Sequence, residues 1–126
     1  MFLKNKRVLL VEDDQMIRDA YQEEFIHSGF LVDVAMTADE CFARLKAQRP
    51  DIILLDVFLP KESGIEILDK IKKDSLYADI PIIIITNIYV DREELARKGV
   101  AYSLIKSEVN PGQITEKMEE ILKAKA

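Results

Sequence analysis

The chain of 126 residues has one cysteine, one histidine and no tryptophan. A lone Cys41 has no partner for an internal disulfide, so nothing here asks for an oxidising compartment. No apolar run approaches the roughly 18 residues of a membrane span. The opening MFLKNKRVLL lacks the long apolar core and small-residue cleavage site of a secretory signal. Basic blocks are missing too: 18 Lys and Arg stand against 23 Asp and Glu, a net charge of −5. That balance argues against a nucleic-acid-binding surface. There is no internal repeat, linker or low-complexity stretch. The expectation is a cytoplasmic, acidic, single-domain chain over residues 1–126, long enough to bury a core without staples.

What the chain does have is alternation. The runs VLLV (8–11), IILLD (52–56) and IIIIT (82–86) are continuous and rich in Val, Ile and Leu. Such runs suit strands buried on both faces of a parallel sheet. LVDVA (31–35) alternates and reads as an edge strand, and SLIK (103–106) is a short fifth candidate. Between them lie amphipathic segments. Residues 14–28 place Ile17, Ala20, Tyr21 and Phe25 on one face. Residues 38–47 do so with Ala38, Cys41, Phe42 and Leu45, behind an N-cap at Thr37. Ile65, Leu68 and Ile71 mark a third helix, and 91–99 a short polar one ending at Gly99. Ile114, Met118, Ile121 and Leu122 mark the last, with Asn110 as N-cap and Pro111 at the first helical position. Five strands alternating with five helices make a (βα)5 α/β fold. Right-handed crossovers give a doubly wound parallel sheet. The expected strand order is flavodoxin-like, 2-1-3-4-5, with a ligand crevice where strands 1 and 3 meet.

The residues that close the central strands share one sheet edge. They are Glu12-Asp13-Asp14 after strand 1, Asp56 after strand 3, Thr86 after strand 4 and Lys106 after strand 5. Two unit charges ~4 Å apart repel by about 4 kcal/mol at an effective dielectric near ~20. Clustered carboxylates therefore need a proton or a cation among them. Oxygen ligands favour Mg²⁺, Mn²⁺ or Ca²⁺, and a small site that keeps waters suits Mg²⁺. No Cys or His lies near these strand ends, which disfavours zinc. A Lys and a Thr hydroxyl supply groups that stabilise a phosphoryl oxygen, and a strand-end carboxylate can be the nucleophile. Each residue alone has a duller reading: Asp13 or Asp14 as a helix cap, Asp56 as a turn residue before Pro60, Lys106 as a solvated strand end, Thr86 as an ordinary strand residue. Their conjunction on one edge is what favours function.

From about Lys6 to Lys123 the chain resembles the receiver domain of two-component response regulators, including stand-alone chemotaxis and sporulation-relay members. V-L-L-V-E-D-D resembles the acidic pair after strand 1, and D-V-F-L-P-K-E-S-G the phosphoacceptor aspartate with Pro at +4 and Gly at +8. Thr86 and Lys106 match the hydroxyl and lysine positions. The resemblance implies that Asp56 accepts a phosphoryl group from a histidine kinase or a phosphotransfer histidine. Mg²⁺, or Mn²⁺, would be held by Glu12, Asp13, Asp56 and the backbone carbonyl of Phe58. Lys106 would bind a phosphate oxygen, and Thr86 would follow the phosphoryl group in the switch. Asp14 falls past the acidic pair and is kept as a helix cap. The implied protein is a phosphoacceptor and not an enzyme proper, though it assists its own phosphorylation and dephosphorylation. Its output would pass by protein contacts through the helix 4–strand 5–helix 5 face, with no output domain after residue 126. It would be a monomer or weak dimer, touching neither nucleic acid nor membrane.

The chain departs from the pattern in several places. Lys106-Ser107 stands where Lys-Pro, often cis, is usual, and a non-proline cis bond costs ~3 kcal/mol. Ser103 occupies the switch-aromatic position, while Tyr102, one earlier, points to the opposite strand face. Either the register shifts or signalling uses other groups. Asn87 replaces the small residue after the threonine. Phe58 and Ile88 are bulky and apolar where family members control water access, which predicts slow loss of the phosphoryl group. His27 reads as a residue of the helix end or surface, and Cys41 as a buried structural thiol. Rival readings are a receiver-fold adaptor acting without phosphorylation, a haloacid-dehalogenase-type phosphatase and a flavodoxin-like FMN binder. The phosphatase would want an acid where Phe58 stands, and the FMN binder a hydroxyl- and Gly-rich loop where Glu12-Asp13-Asp14 would repel phosphate.

Overall fold

A computed structural model describes residues 2–126. The elements alternate: β1 (Arg7–Val11), α1 (Gln15–His27), β2 (Leu31–Ala35), α2 (Ala38–Ala47), β3 (Ile52–Asp56), α3 (Gly64–Lys73), β4 (Ile82–Thr86), α4 (Arg92–Arg97), β5 (Tyr102–Ile105) and α5 (Pro111–Lys125). The five strands are parallel in the order β2-β1-β3-β4-β5, the order expected from the sequence.

The continuous apolar runs serve two cores at once. Odd residues of β1 and β3 (Leu9, Val11, Ile53, Leu55) join Ile82 and Ile84 of β4 under α2, α3 and α4. Even residues (Val8, Leu10, Ile52, Leu54) join Ile83 and Ile85 under α1 and α5. Every residue of β3 and β4 is buried, so neither strand can carry the polar alternation of a one-sided sheet. LVDVA alternates because β2 is an edge strand, half-covered.

Local chemistry sets the boundaries. Asp14 accepts from the Ile17 N–H at the start of α1, Thr37 from Glu40 at α2, and Asn110 from Gln113 in a reciprocal capping box at α5. Ser63 and Asp91 cap α3 and α4 in the same way. Gly99 follows α4 at φ +89°, a conformation that favours glycine. Three expectations need correction. Lys106 is not the last residue of β5, which ends at Ile105; it opens a 3-10 turn, Lys106–Glu108. Ala20 faces solvent, because only Tyr21 and Phe25 of α1 are buried. Ile67, not singled out by its spacing, is buried in α3 beside Leu68 and Ile71.

Candidate functional site

The parallel register aligns the ends of β1, β3 and β4. Leu55 lies opposite Val11 and Asp56 opposite Ile85, so Glu12 and Thr86, the next residue along each neighbour, flank Asp56. Glu12, Asp56 and Thr86 are all buried, which is rare for carboxylates without partners. The Lys106 ammonium fills part of that need. It lies 2.6 Å from Glu12 Oε1 and donates to Asp56 Oδ2 at 3.2 Å. Its side chain is only 8% exposed, a cation drawn inward by two acids. The 3-10 turn aims it there: leaving the strand at Ile105 frees the Lys106 backbone from the sheet direction.

The backbone contributes as well. Asp56 Oδ1 accepts from the Phe58 N–H at 3.1 Å, and Glu12 Oε2 from the Asp14 N–H at 3.2 Å. Arg18, one turn into α1, donates to the carbonyls of Glu12 and Asp13 and holds the acidic loop on its helix. Its signal in the sequence is a basic residue one turn after an acidic cap, a pattern too common to single out. Gly64 is the second residue whose role appears only in space. A Cβ there would lie 2.1 Å from the Asp56 carbonyl oxygen, so only glycine lets α3 start against the end of β3.

Glu12, Asp13 and Asp56 each bring a carboxylate oxygen within 4.8 Å of the others. Burial pushes Glu12 up to about 7; the Lys106 ammonium opposes the rise and the Asp56 charge adds to it. Burial acts to lower Lys106, but Glu12 and Asp56 outweigh it and hold the ammonium above the ordinary lysine range. The Lys106 ammonium at 2.6 Å is the one partner of Glu12 Oε1 among the described residues, and a single ammonium leaves the three clustered carboxylates with excess negative charge. A hard cation among them would offset that charge, and the all-oxygen donor set suits Mg²⁺ or Mn²⁺.

Of the remaining expected residues, Thr86, Asn87, Phe58 and Ile88 lie at or just after the same strand ends, whereas Tyr102 and Ser103 lie earlier in β5, opposite Ile83 and Ile84. Thr86 Oγ1 accepts from the Ile88 N–H at 3.3 Å. Asn87 is exposed, and Phe58 and Ile88 flank the site in the two loops at 53% and 55% exposure. Ser103 is buried on the α4 side of β5, whereas Tyr102 is half-buried against the α1–α5 core, as strand alternation requires. The Lys106–Ser107 peptide is trans, as are all peptides of the described residues. His27 is exposed at the last position of α1, and burial pushes the Cys41 thiol up to about 12.

Known proteins share this arrangement. Residues 8–119 match the family model of the response regulator receiver domain. A relative named "Probable C4-dicarboxylate response regulator DctR", from Halalkalibacterium halodurans, is 34% identical over 103 residues, 79% of this chain and 44% of that protein. The chain thus spans less than half the length of that relative. A CheY-like receiver domain from Methanospirillum hungatei superposes with a TM-score of 0.86 at 29% identity, covering 96% of each chain. The phosphorylated cyanobacterial phytochrome response regulator RcpA superposes with a TM-score of 0.80 at 28% identity, over 97% of this chain and 96% of that one. With the family model matched over nearly all its length and the fold matched throughout, the chain belongs to the response regulator receiver domain family of two-component signal transduction.

Proposed function

We propose that the chain is a phosphoacceptor switch of a two-component system or phosphorelay, with Asp56 taking a phosphoryl group from a histidine kinase or a phosphotransfer histidine. The observation that supports this most is the placement of Asp56. It ends the central strand, 3% exposed, with Lys106 on one oxygen and two further carboxylates beside it.

In the transfer an Asp56 oxygen attacks phosphorus as the P–N bond of the donor's phosphohistidine breaks. The imidazole nitrogen leaves with the bonding electrons. Glu12, Asp13, Asp56 and the Phe58 backbone carbonyl would hold Mg²⁺, or Mn²⁺. When bound, the ion offsets the charge of the phosphoryl oxygens. Lys106, held cationic by its acids, turns from the Asp56 carboxylate to a phosphoryl oxygen. Thr86 keeps its Ile88 contact while its O–H donates to the same group, and so draws the Asn87–Ile88 loop inward. The chain is no enzyme in the ordinary sense, but it assists gain and loss of its own phosphoryl group. Output passes through the α4–β5–α5 face to an effector protein, without direct contact with nucleic acid or membrane. A cytoplasmic location and a monomer or weak dimer go with this reading.

A second reading, an adaptor acting without phosphorylation, is favoured by Ser103 at the aromatic position and by Tyr102 on the opposite face of β5, which remove the usual threonine–aromatic coupling. The phosphatase reading lacks its second acid, because Phe58 stands there. Incubation with phosphoramidate and Mg²⁺, followed by intact-mass measurement, separates them. The expected result is one phosphoryl group on the wild type and none on Asp56→Asn. No adduct on the wild type, or the same adduct on the variant, overturns the reading.

A further inference from the structure

The loop from β3 to α3 carries Phe58 and is tied mostly to its own flanks. The Phe58 N–H donates to Asp56 Oδ1 at 3.1 Å, and Phe58 pairs with Ser63 across an antiparallel bridge. Ser63 Oγ accepts from the Ile65 N–H at 3.1 Å, and the Gly64 N–H donates to the Val57 carbonyl at 2.8 Å. Of the hydrogen bonds that residues 58–63 make among the described residues, one alone reaches beyond β3 and α3. Glu62 Oε1 accepts from the N–H of Ala38, 24 residues earlier, at the first position of α2.

That N–H is one of those a helix cannot satisfy from within. Thr37, the N-cap, takes the Glu40 N–H and leaves Ala38 for another acceptor. Asp39 and Glu40 already make this helix end acidic, so a further charge adds little. What Glu62 supplies is an acceptor oxygen at a fixed place. Packing does not substitute for it: a cavity of about 170 Å³ lies between the two loops, lined by Met36 and Thr37, by Pro60, Lys61 and Glu62, and by Asp13. The bond therefore fastens the loop of Phe58 to α2 beside one of the clustered carboxylates.

We propose that Glu62 is a positioning residue for the metal site: by clamping the β3–α3 loop to α2 it fixes the Phe58 backbone carbonyl relative to Asp13 and Asp56. The inference rests on that carbonyl being a metal ligand in the proposed function. Mg²⁺ demands near-octahedral geometry with short metal–oxygen distances, whereas Ca²⁺ tolerates irregular sites. A carbonyl free to drift costs Mg²⁺ more than Ca²⁺, so the clamp sets selectivity as well as affinity. General loosening of the fold would weaken both ions alike.

The test titrates Mg²⁺ and Ca²⁺ separately into the whole chain by calorimetry, for the wild type, Glu62→Met and Glu62→Gln. Glu62→Met keeps the length of the side chain and loses the acceptor. It should weaken Mg²⁺ about 10-fold, the low end for residues that support a metal ligand from behind. Its Ca²⁺ affinity should fall by less than ~3-fold. Glu62→Gln keeps an acceptor oxygen without the charge, and should hold both affinities within ~2-fold of the wild type. Hydrogen exchange of the Ala38 amide should speed up in Glu62→Met and not in Glu62→Gln. Unchanged Mg²⁺ affinity in Glu62→Met overturns the proposal, and so does an equal loss for the two ions. An equal loss in Glu62→Gln makes the effect one of charge and overturns the clamp, as does unchanged Ala38 exchange in Glu62→Met. A wild type that binds no Mg²⁺ overturns the metal site itself and the clamp with it. A wild type that binds Mg²⁺ no better than Glu62→Met loses only the role of Glu62.

Discussion

Charged groups lie at both ends of the sheet, and the two ends treat them differently. Toward the strand N-termini, Arg7 meets Asp33 at 2.8 Å and Arg49 meets Asp79 at 2.7 Å, each base with its own acid. Lys72 and Lys125 donate there to the carbonyls of Ala78 and Asp79. These groups remain partly or largely in water, where ion pairs contribute little. Toward the strand C-termini, Glu12 and Asp56 share one buried ammonium, Lys106, and the Asp13 carboxylate lies beside them with no cation of its own among the described residues. The same residue types make a balanced, solvated rim at one end and an unbalanced, desolvated cluster at the other. On the proposed reading, that imbalance under burial is what suits the cluster to a cation and a phosphoryl group.

The comparison is broken most severely at Lys106. Lys106→Met leaves Glu12 and Asp56 buried without their cation, and should destabilise the metal-free protein by about 3 kcal/mol in urea unfolding. Arg49→Ala, at the opposite end, should leave the melting temperature almost unchanged. Equal effects of the two would mean that the ends do not differ in the way their burial implies. Next in size is Gly64→Ala. A Cβ that meets the Asp56 carbonyl must push α3 away, at a cost of about 2 kcal/mol, the range of an overpacked core. Mg²⁺ affinity should fall with it, because the displaced backbone carries Asp56 and Phe58. A loss of stability with unchanged Mg²⁺ affinity would separate α3 packing from the site.

A smaller effect sharpens the contrast through pH. Glu12 is raised from 4.5 to about 7, first by burial, so the folded protein holds this proton more tightly than the unfolded chain. The Glu12 contribution to stability is therefore full below 4.5 and lost as the pH rises through 7. A cation at the cluster must displace that proton, so Mg²⁺ should bind up to ~10-fold more tightly at about pH 8 than at about pH 6. Calorimetry showing flat affinity across this range would mean that Glu12 stays out of the metal site. The smallest change concerns timing. Phe58 and Ile88 place apolar surface at the mouth, and Phe58→Asn should speed loss of the phosphoryl group several-fold. An equal or slower rate in the variant would remove Phe58 from control of water access.

Much of this was legible in the chain, for physical reasons that differ by residue. The two-faced strands declared themselves because a buried parallel strand excludes polar residues up to its last position, as in the IILL of IILLD and the IIII of IIIIT. Asp14, Thr37 and Asn110 were readable as caps because a cap bonds within three residues of itself. Lys106 was placed on the strand because SLIK has the composition of one; the 3-10 turn that instead carries its ammonium to Glu12 and Asp56 has no signal in those four residues. Arg18 and Gly64 were not legible as parts of the site, since each acts on backbone atoms brought near by the fold.

By itself, then, the sequence determined which segments are strands and helices, their order in the sheet, and the presence of acids, a hydroxyl and a lysine at one edge. Periodicity, capping and crossover handedness depend on neighbours along the chain, so a linear reading reaches them. Only the tertiary structure decided that Glu12 rises to about 7, that Lys106 lies between two acids, and that Gly64 has no room for a Cβ. Desolvation, charge separation and free volume depend on every element packed around a group, and those sums exist only once the chain has folded.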